Sequence, residues 1–239
     1  MKYSIFLLLL IAVTFTNCKS KLFSVTENED KGIKEILAFY GGECQYGIEK
    51  KVYTDKPNES VFWIKFGKSS SIDSAANWAQ LHGSNIPYIF YKNLDKEKSK
   101  YTHIQCELVL GNATKLKFSY ALPELEKVKE KMKLVNKIVN LIRTKNFNEL
   151  KNHLVVDSSI LVYDKDELTT NLQRIETGPE LGNIKGFRPY GFIYSKGNNN
   201  KEILYIAGLM VRDKQNMNFS VNLDPNTKKD EIYLLNYKF

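Results

Sequence analysis

The chain contains few of the residues that usually mark catalytic or metal sites. Its 239 residues include three histidines, three cysteines and two tryptophans. The sequence has no CxxC, HExxH, GxSxG, GxGxxG or P-loop motif, so the common zinc, redox, hydrolase and nucleotide-binding signatures are missing. We therefore predict that the protein is not an enzyme, holds no metal ion and needs no cofactor.

The three histidines are too widely separated to suggest a metal site. His82, His103 and His153 show none of the spacings that zinc ligands have on a helix or in a finger. We expect all three at the surface. His82 would lie in a loop beside a glycine, His103 on the polar face of a strand and His153 at the end of a helix.

The sequence also has no hydrophobic run long enough to cross a bilayer, which needs about 20 residues. The longest run covers residues 5–13. It follows one basic residue, Lys2, and precedes small or polar residues and Cys18. A basic start, a short apolar core and a cleavage region are typical of a secretory signal peptide.

This leader resembles the signal peptides of bacterial lipoproteins in their relaxed, Bacteroidota-type form. Phe15 and Asn17 stand where the strict lipobox has an aliphatic and a small residue before the cysteine. The resemblance implies that residues 1–17 are removed and that Cys18 carries acyl chains such as palmitate. Lys19 follows the cysteine, at the position where the inner-membrane retention signal has an aspartate. The absence of that aspartate favours the outer membrane, with a periplasmic or surface-facing chain. An ordinary secreted protein and a helical anchor are the alternatives.

The remaining cysteines, Cys44 and Cys106, form an even pair in a chain that we expect to be exported. A disulfide between them would close a loop of about 60 residues and stabilise the fold by roughly 3–4 kcal/mol. Two free, buried thiols are the alternative, and the sequence leaves the choice open.

The net charge of +8 comes from lysines that alternate with acidic residues, as in residues 124–133. Arginine is scarce and does not cluster, so the pattern is typical of a solvated surface and not of a nucleic-acid site. We predict no nucleic-acid partner. The expected partners are the membrane, through the lipid anchor, and another protein of the cell envelope.

The first half of the sequence predicts a helix followed by strands. Apolar residues at helical spacing favour a helix over residues 30–40, which Gly41 ends. Residues 43–54 and 60–66 form a predicted hairpin. Residues 101–110 carry apolar residues at every second position and predict a further strand, to which residues 115–120 return.

Between these strands, residues 75–81 predict a helix that Gly83 interrupts. A second short helix would then begin after a cap at Ser84 or Asn85. The continuous apolar run of residues 88–91 leaves an aromatic strand as the alternative. We assign Trp63 and Trp78 to the core of this half.

The second half opens with the clearest helix, residues 123–145, whose apolar residues recur every three or four positions. Two shorter helices follow, and the tail consists of strands. The predicted ranges are 148–154 and 166–175 for the helices, and 187–195, 202–213, 219–223 and 232–239 for the strands.

Runs of helix followed by runs of strands predict an α+β fold with two modules, each a helix packed on a curved antiparallel sheet. We divide the chain into a signal peptide (1–17), a lipid-anchored tether (18–30), an N-terminal module (31–121) and a C-terminal module (122–239).

The second half resembles NTF2-like or cystatin-like domains in its long helix, residues 123–145, its short helix with Phe147 and Leu150, and its late strands. The first half is similar to the N-terminal module of Bacteroidota lipoproteins in residues 40–42 and 84–94. The NTF2-like resemblance implies a cone-shaped pocket with an Asp base beside Tyr or Asp donors. The candidates for that pocket are Asp157, Asp164, Asp166, Tyr190 and Tyr194.

Together these features predict a membrane-anchored envelope lipoprotein with a non-catalytic binding or structural role. One alternative is a small-ligand binder, or a hydrolase or isomerase, that uses a pocket in the C-terminal module. Another is an immunity-type lipoprotein that caps a toxin. A deep pocket would favour the first alternative, and a concentrated surface patch that matches one partner would favour the second.

Overall fold

A computed structural model describes residues 25–157, 160, 162–197 and 200–238 of the chain. The predicted signal peptide, the lipidation site Cys18 and residues 19–24 of the tether lie outside these residues. Within these residues the chain forms six α-helices. They are α1 (Glu27–Tyr40), α2 (Ser70–Asp73), α3 (Ala79–Asn93), α4 (Leu122–Arg143), α5 (Phe147–His153) and α6 (Lys165–Thr177), with 3-10 helices at Ala76–Trp78 and Asp95–Lys100.

The described residues also form eight strands in two four-stranded sheets, one in each half of the chain. The first sheet has the order β1 (Glu43–Lys51), β2 (Glu59–Gly67), β3 (His103–Val109) and β4 (Lys115–Ala121). The second has the order β5 (Ile184–Lys196), β6 (Glu202–Arg212), β7 (Met217–Leu223) and β8 (Leu234–Lys238). Each sheet packs against helices, so the predicted α+β fold with two modules is confirmed.

The first sheet differs from the prediction in one strand pair. The hairpins β1–β2 and β3–β4 are antiparallel, but β2 and β3 run parallel, with Val61 opposite His103. Parallel strands require a long crossover connection, and α3 lies in the segment that supplies it here. The second sheet is an antiparallel meander, as expected.

Helix α3 is continuous where the sequence predicted a break. Gly83 lies inside the helix, and a Cβ at this position would overlap the ring of Phe118 on β4. The glycine therefore allows the helix to approach the sheet closely. Pro87 also lies within the helix, where a proline usually costs about 3 kcal/mol. The fully buried side chains Ile86 and Phe90 offset that cost, since each contributes about 1.5–3 kcal/mol by burial.

Helix α1 begins inside the segment predicted as tether. Thr26 caps the helix by accepting a hydrogen bond from the backbone N–H of Glu29, whose carboxylate accepts one from the backbone N–H of Thr26 at 2.9 Å. Glu29 is buried and also accepts a hydrogen bond from the hydroxyl of Tyr101. This capping box fixes the start of the helix at Glu27, inside residues 18–30.

The disulfide considered for Cys44 and Cys106 is not formed, and both residues are free thiols. Cys44 lies on β1 and Cys106 on β3, with β2 between them. Strands are about 4.8 Å apart, so two cysteines separated by a whole strand are about 10 Å apart, beyond the Cα–Cα limit of about 7 Å for a disulfide. In this structure the two residues are therefore separate thiols on β1 and β3.

The two modules share one hydrophobic core. Strand β4 ends at Ala121 and α4 begins at Leu122, without a linker. Helix α3 of the first module packs against β5 of the second as well as against its own sheet. Buried residues such as Phe90, Val135 and Phe192 belong to a single cluster. Along the part of the chain that the structure describes, no helix combines the length and the hydrophobicity needed to cross a membrane.

Candidate functional site

A cleft of about 680 Å³ lies between the two modules. One wall is a face of the second sheet. The register places Ala207, Ser220 and Asn236 side by side on that face. Neighbouring side chains point to the opposite face, where Tyr237 hydrogen-bonds to Glu176 of α6. Helices therefore cover one face of the sheet, and the cleft occupies the other.

The sheet wall combines aromatic rings with small polar groups. Tyr190 on β5 and Tyr205 on β6 provide the rings, and Asn218, Ser220 and Asn236 provide amides and a hydroxyl. Amides and hydroxyls both donate and accept hydrogen bonds. This wall can therefore orient a polar group of a ligand that stacks on the rings.

The opposite wall belongs to the first module. The end of α1 contributes Phe39 and Tyr40, and α3 contributes His82 near its start. Trp78 precedes α3 and is 58% exposed at the cleft. An exposed tryptophan beside a cleft offers a large apolar surface to a ligand.

Arg188 is the one residue lining the described cleft that carries a formal charge at neutral pH. Its guanidinium donates a hydrogen bond to the backbone carbonyl of Phe39 at 2.8 Å. The guanidinium carbon lies 4.0 Å from the centroid of the Phe39 ring, a cation–π contact. Both contacts connect β5 to the end of α1 and hold the cation at the edge of the cleft.

A buried polar network lies behind the helical wall. The Asn85 amide donates to the hydroxyl of Tyr40 at 2.9 Å, and Nδ1 of His82 lies 3.4 Å from the same hydroxyl. Burial lowers the pKa of His82, so its imidazole is neutral at neutral pH. Nε2 of His82 and Oδ1 of Asn85 are buried and have no hydrogen-bond partner among the described residues.

Helix α3 and strand β5, which both line the cleft, contact each other directly. The backbone N–H of Phe192 donates to the hydroxyl of Ser84 at 2.8 Å. The neighbouring Gly191 lies at a bulge of β5 with φ 149°, and a Cβ there would overlap the carbonyl oxygen of Leu81. Glycine is thus required for this approach, because its backbone touches the helix directly.

Most of the residues predicted for an NTF2-like pocket lie elsewhere. Asp157 forms an ion pair with Lys201 at 2.7 Å, and Asp166 forms one with Lys151. Asp164 caps α6 by accepting hydrogen bonds from two backbone N–H groups. The hydroxyl of Tyr194 donates to the backbone carbonyl of Glu124 at 3.0 Å. Of the five candidates, only Tyr190 lines the cleft.

The positions of several histidines and tryptophans correct the sequence predictions. His82 is a buried residue of α3 and not a surface loop residue, and His153 is buried at the end of α5. His103 is half-buried on β3. Trp63 and Trp78 are exposed, so their assignment to the core was wrong. Within the described ranges, no group of three or more His, Cys, Asp or Glu residues is arranged to hold a metal ion.

Sequence reasoning missed most of the cleft because its polar side chains come from four strands of the sheet. The one local signal is the alternation of Asn218, Ser220 and Asn222 with apolar residues on β7. That period of two predicts a strand with one polar face. The sequence does not reveal that another module covers this face.

No protein-family model, curated protein or solved structure matches the chain.

Proposed function

We propose that this chain is a lipid-anchored lipoprotein of the cell envelope that binds a small ligand in the cleft between its modules. Its role is binding and not catalysis. The observation that carries the proposal is the cleft of about 680 Å³, lined by aromatic rings, amides and one guanidinium. Ligand sites are typically concave, mostly apolar and supplied with a few polar groups that fix orientation, and their volumes are about 300–1,000 Å³.

The chemistry of the lining supports a binding role. The residues described around the cleft include no carboxylate and no thiol. General acid–base catalysis usually relies on a carboxylate or a histidine within reach of the substrate. His82 is the one such group here, and its Nδ1 faces the Tyr40 hydroxyl at 3.4 Å.

The anchoring part of the proposal rests on the leader. Residues 1–17 followed by Cys18 resemble a lipoprotein signal, and lipidation there would hold the cleft at a membrane surface. The proposed location is the outer membrane, with the cleft on the periplasmic or surface-facing side.

A thermal-shift screen of small organic molecules tests ligand binding in the cleft. We expect a subset to raise the melting temperature of the wild-type protein, because a ligand that binds only the native state stabilises it. Asn218 is an exposed residue of the lining, and Asn218→Phe would fill the space without disturbing the core. The variant should therefore lose the shifts.

The matched control is Asn112→Phe, which changes an exposed asparagine in the turn between β3 and β4. It should keep every shift seen with the wild type. If the shifts persist in Asn218→Phe, the ligands bind outside the cleft and the proposal is wrong. The same conclusion follows if no compound stabilises the wild type.

A further inference from the structure

Arg188, the cation at the edge of the cleft, has no acidic partner among the described residues. Lys185, on the same strand, forms an ion pair with Asp213 at 2.8 Å, and Arg212 on β6 forms one with Glu176. Arg188 instead contacts the ring and carbonyl oxygen of Phe39. One of its five N–H donors is used in that hydrogen bond, so others are available to an external acceptor.

The contacts with Phe39 also orient the guanidinium. An arginine stacked on an aromatic ring presents its planar N–H donors in a fixed direction. Carboxylate, sulfonate and phosphate oxygens match that arrangement and bind with charge-assisted hydrogen bonds. The arrangement differs from that of a free surface lysine, whose ammonium group moves on a flexible stem.

The positive charge of Arg188 acts on other residues that line the cleft. Burial raises the pKa values of Tyr40 and Tyr190, and the positive charge of Arg188 partly opposes both shifts. Since the described lining contains no carboxylate, nothing in it neutralises this charge. The cleft therefore has a positive potential that favours an anionic ligand.

The aromatic part of the lining determines the rest of the ligand. Trp78, Tyr190 and Tyr205 surround the space with ring surfaces. Rings of this kind stack on flat or ring-shaped apolar groups. Asn218 and Asn236 can donate hydrogen bonds to a polar substituent.

From these contacts we infer that the cleft binds a small molecule with a ring-shaped apolar body and one anionic group, and that Arg188 binds the anion. This inference rests on the proposed ligand-binding function and adds the chemical class of the ligand. Arg188 is then the residue that determines specificity for anions.

Two fluorescent dyes with the same ring system provide the test. The anionic probe is 1-anilinonaphthalene-8-sulfonate, and the neutral probe is N-phenyl-1-naphthylamine, the same molecule without the sulfonate. Fluorescence titration of the folded protein gives the Kd of each. We expect the anionic dye to bind about ten-fold more tightly, as one charge-assisted hydrogen bond at an exposed site allows. Added salt should reduce this preference.

Variants of Arg188 separate the effect of charge from that of shape. Arg188→Gln should weaken binding of the anionic dye about ten-fold and leave the neutral dye unchanged. Arg188→Lys should retain part of the preference, because it keeps the charge and loses the planar donors. Lys196→Gln removes an exposed cation from the same strand outside the cleft and should change neither Kd. Circular dichroism verifies that each variant is folded.

Two negative results would separate a failure of the inference about the anion from a failure of the proposed function. If Asn218→Phe abolishes binding of both dyes but the dyes bind equally and Arg188→Gln has no effect, the inference about the anion is wrong while the cleft remains a ligand site. If Asn218→Phe changes the binding of neither dye, the dyes do not occupy the cleft, and both the inference and the proposed function are contradicted.

Discussion

At the scale of single residues, three buried ionisable side chains show two ways of compensating for the loss of contact with water. Glu29, His82 and Arg212 are each more than nine-tenths buried. Glu29 and Arg212 have hydrogen-bonded or charged partners, as burial of a charge requires. His82 is instead kept neutral, and this difference gives it a distinct pH dependence.

His82 should make the protein less stable in mild acid. In the unfolded chain its pKa has the ordinary value of 6.5, and burial lowers the pKa in the folded state. Between these two pKa values the unfolded state binds more protons, so the free energy of unfolding falls as the pH drops below about 6.5, the pKa of the unfolded state. His82→Gln should reduce this slope in urea titrations at several pH values.

His103→Gln is the control for that experiment, since His103 lies half-buried on β3 and not in the polar network behind the cleft. In a protein that carries His103→Gln, the His82→Gln change should reduce the pH slope of the free energy of unfolding as much as it does in the wild type. An unchanged slope in His82→Gln would show that other groups cause the loss of stability in acid.

The two cysteines of the first sheet should behave as protected thiols. Burial raises the pKa of Cys44 to about 12 and raises that of the fully buried Cys106 as well. Alkylation requires the thiolate. In a Cys18→Ala protein, iodoacetamide near neutral pH should therefore modify the native chain slowly. After denaturation without reductant, intact mass should show both thiols alkylated. A mass without adducts would instead indicate a disulfide.

At the scale of elements, the contact between α3 and β5 determines how the modules fit together. The Ser84 hydroxyl accepts a hydrogen bond from the backbone N–H of Phe192, and the Asn85 amide nitrogen lies 3.4 Å from the carbonyl oxygen of Pro189. The bulge at Gly191 brings the strand close enough for these contacts. A change at the bulge should therefore disturb both the stability of the fold and the cleft.

Gly191→Ala should destabilise the protein by about 3 kcal/mol or more, because the new methyl group overlaps the carbonyl oxygen of Leu81 and φ is positive. Gly186→Ala is the matched control on the same strand. A Cβ at Gly186 meets no atom within 4 Å, so this change should stay within about 0.5 kcal/mol. Chemical denaturation of both variants measures the difference. Equal stabilities would mean that the strand does not depend on the close contact.

Local patterns were sufficient to predict most elements, because the periodicity of α4 and of β3 reflects burial on one face. These patterns gave wrong predictions where tertiary contacts determine the local structure or the pairing of strands. Gly83 was interpreted as a break in a helix, although its missing side chain makes room for Phe118. The parallel pairing of β2 and β3 depends on where α3 packs, and no local pattern records that.

The cleft was still less predictable from the sequence. Tyr190 was among the candidates, but for a pocket within the second module. Arg188, Trp78 and Asn218 come from elements far apart in the sequence, and each is unremarkable in its own segment. Only the docking of one module on the other brings them together. A pattern within one strand or helix carries no information about that docking.

At the scale of the whole molecule, the proposed anchor is testable by fractionation. Lipidation requires the Cys18 thiol, so the wild-type protein should be found with the membranes and Cys18→Ala should not. Cys44→Ala removes a thiol from β1 and should not change the distribution. Membrane association of Cys18→Ala that equals that of the wild type would contradict the lipid anchor.

Helix α1 has a further consequence for that arrangement. Its first residue follows the segment that leads back to Cys18, and its last residues, Phe39 and Tyr40, line the cleft. A helix of 14 residues at about 1.5 Å per residue is about 20 Å long. In the anchored protein, α1 would therefore set a distance of about 20 Å between the point where the tether enters the fold and the binding cleft.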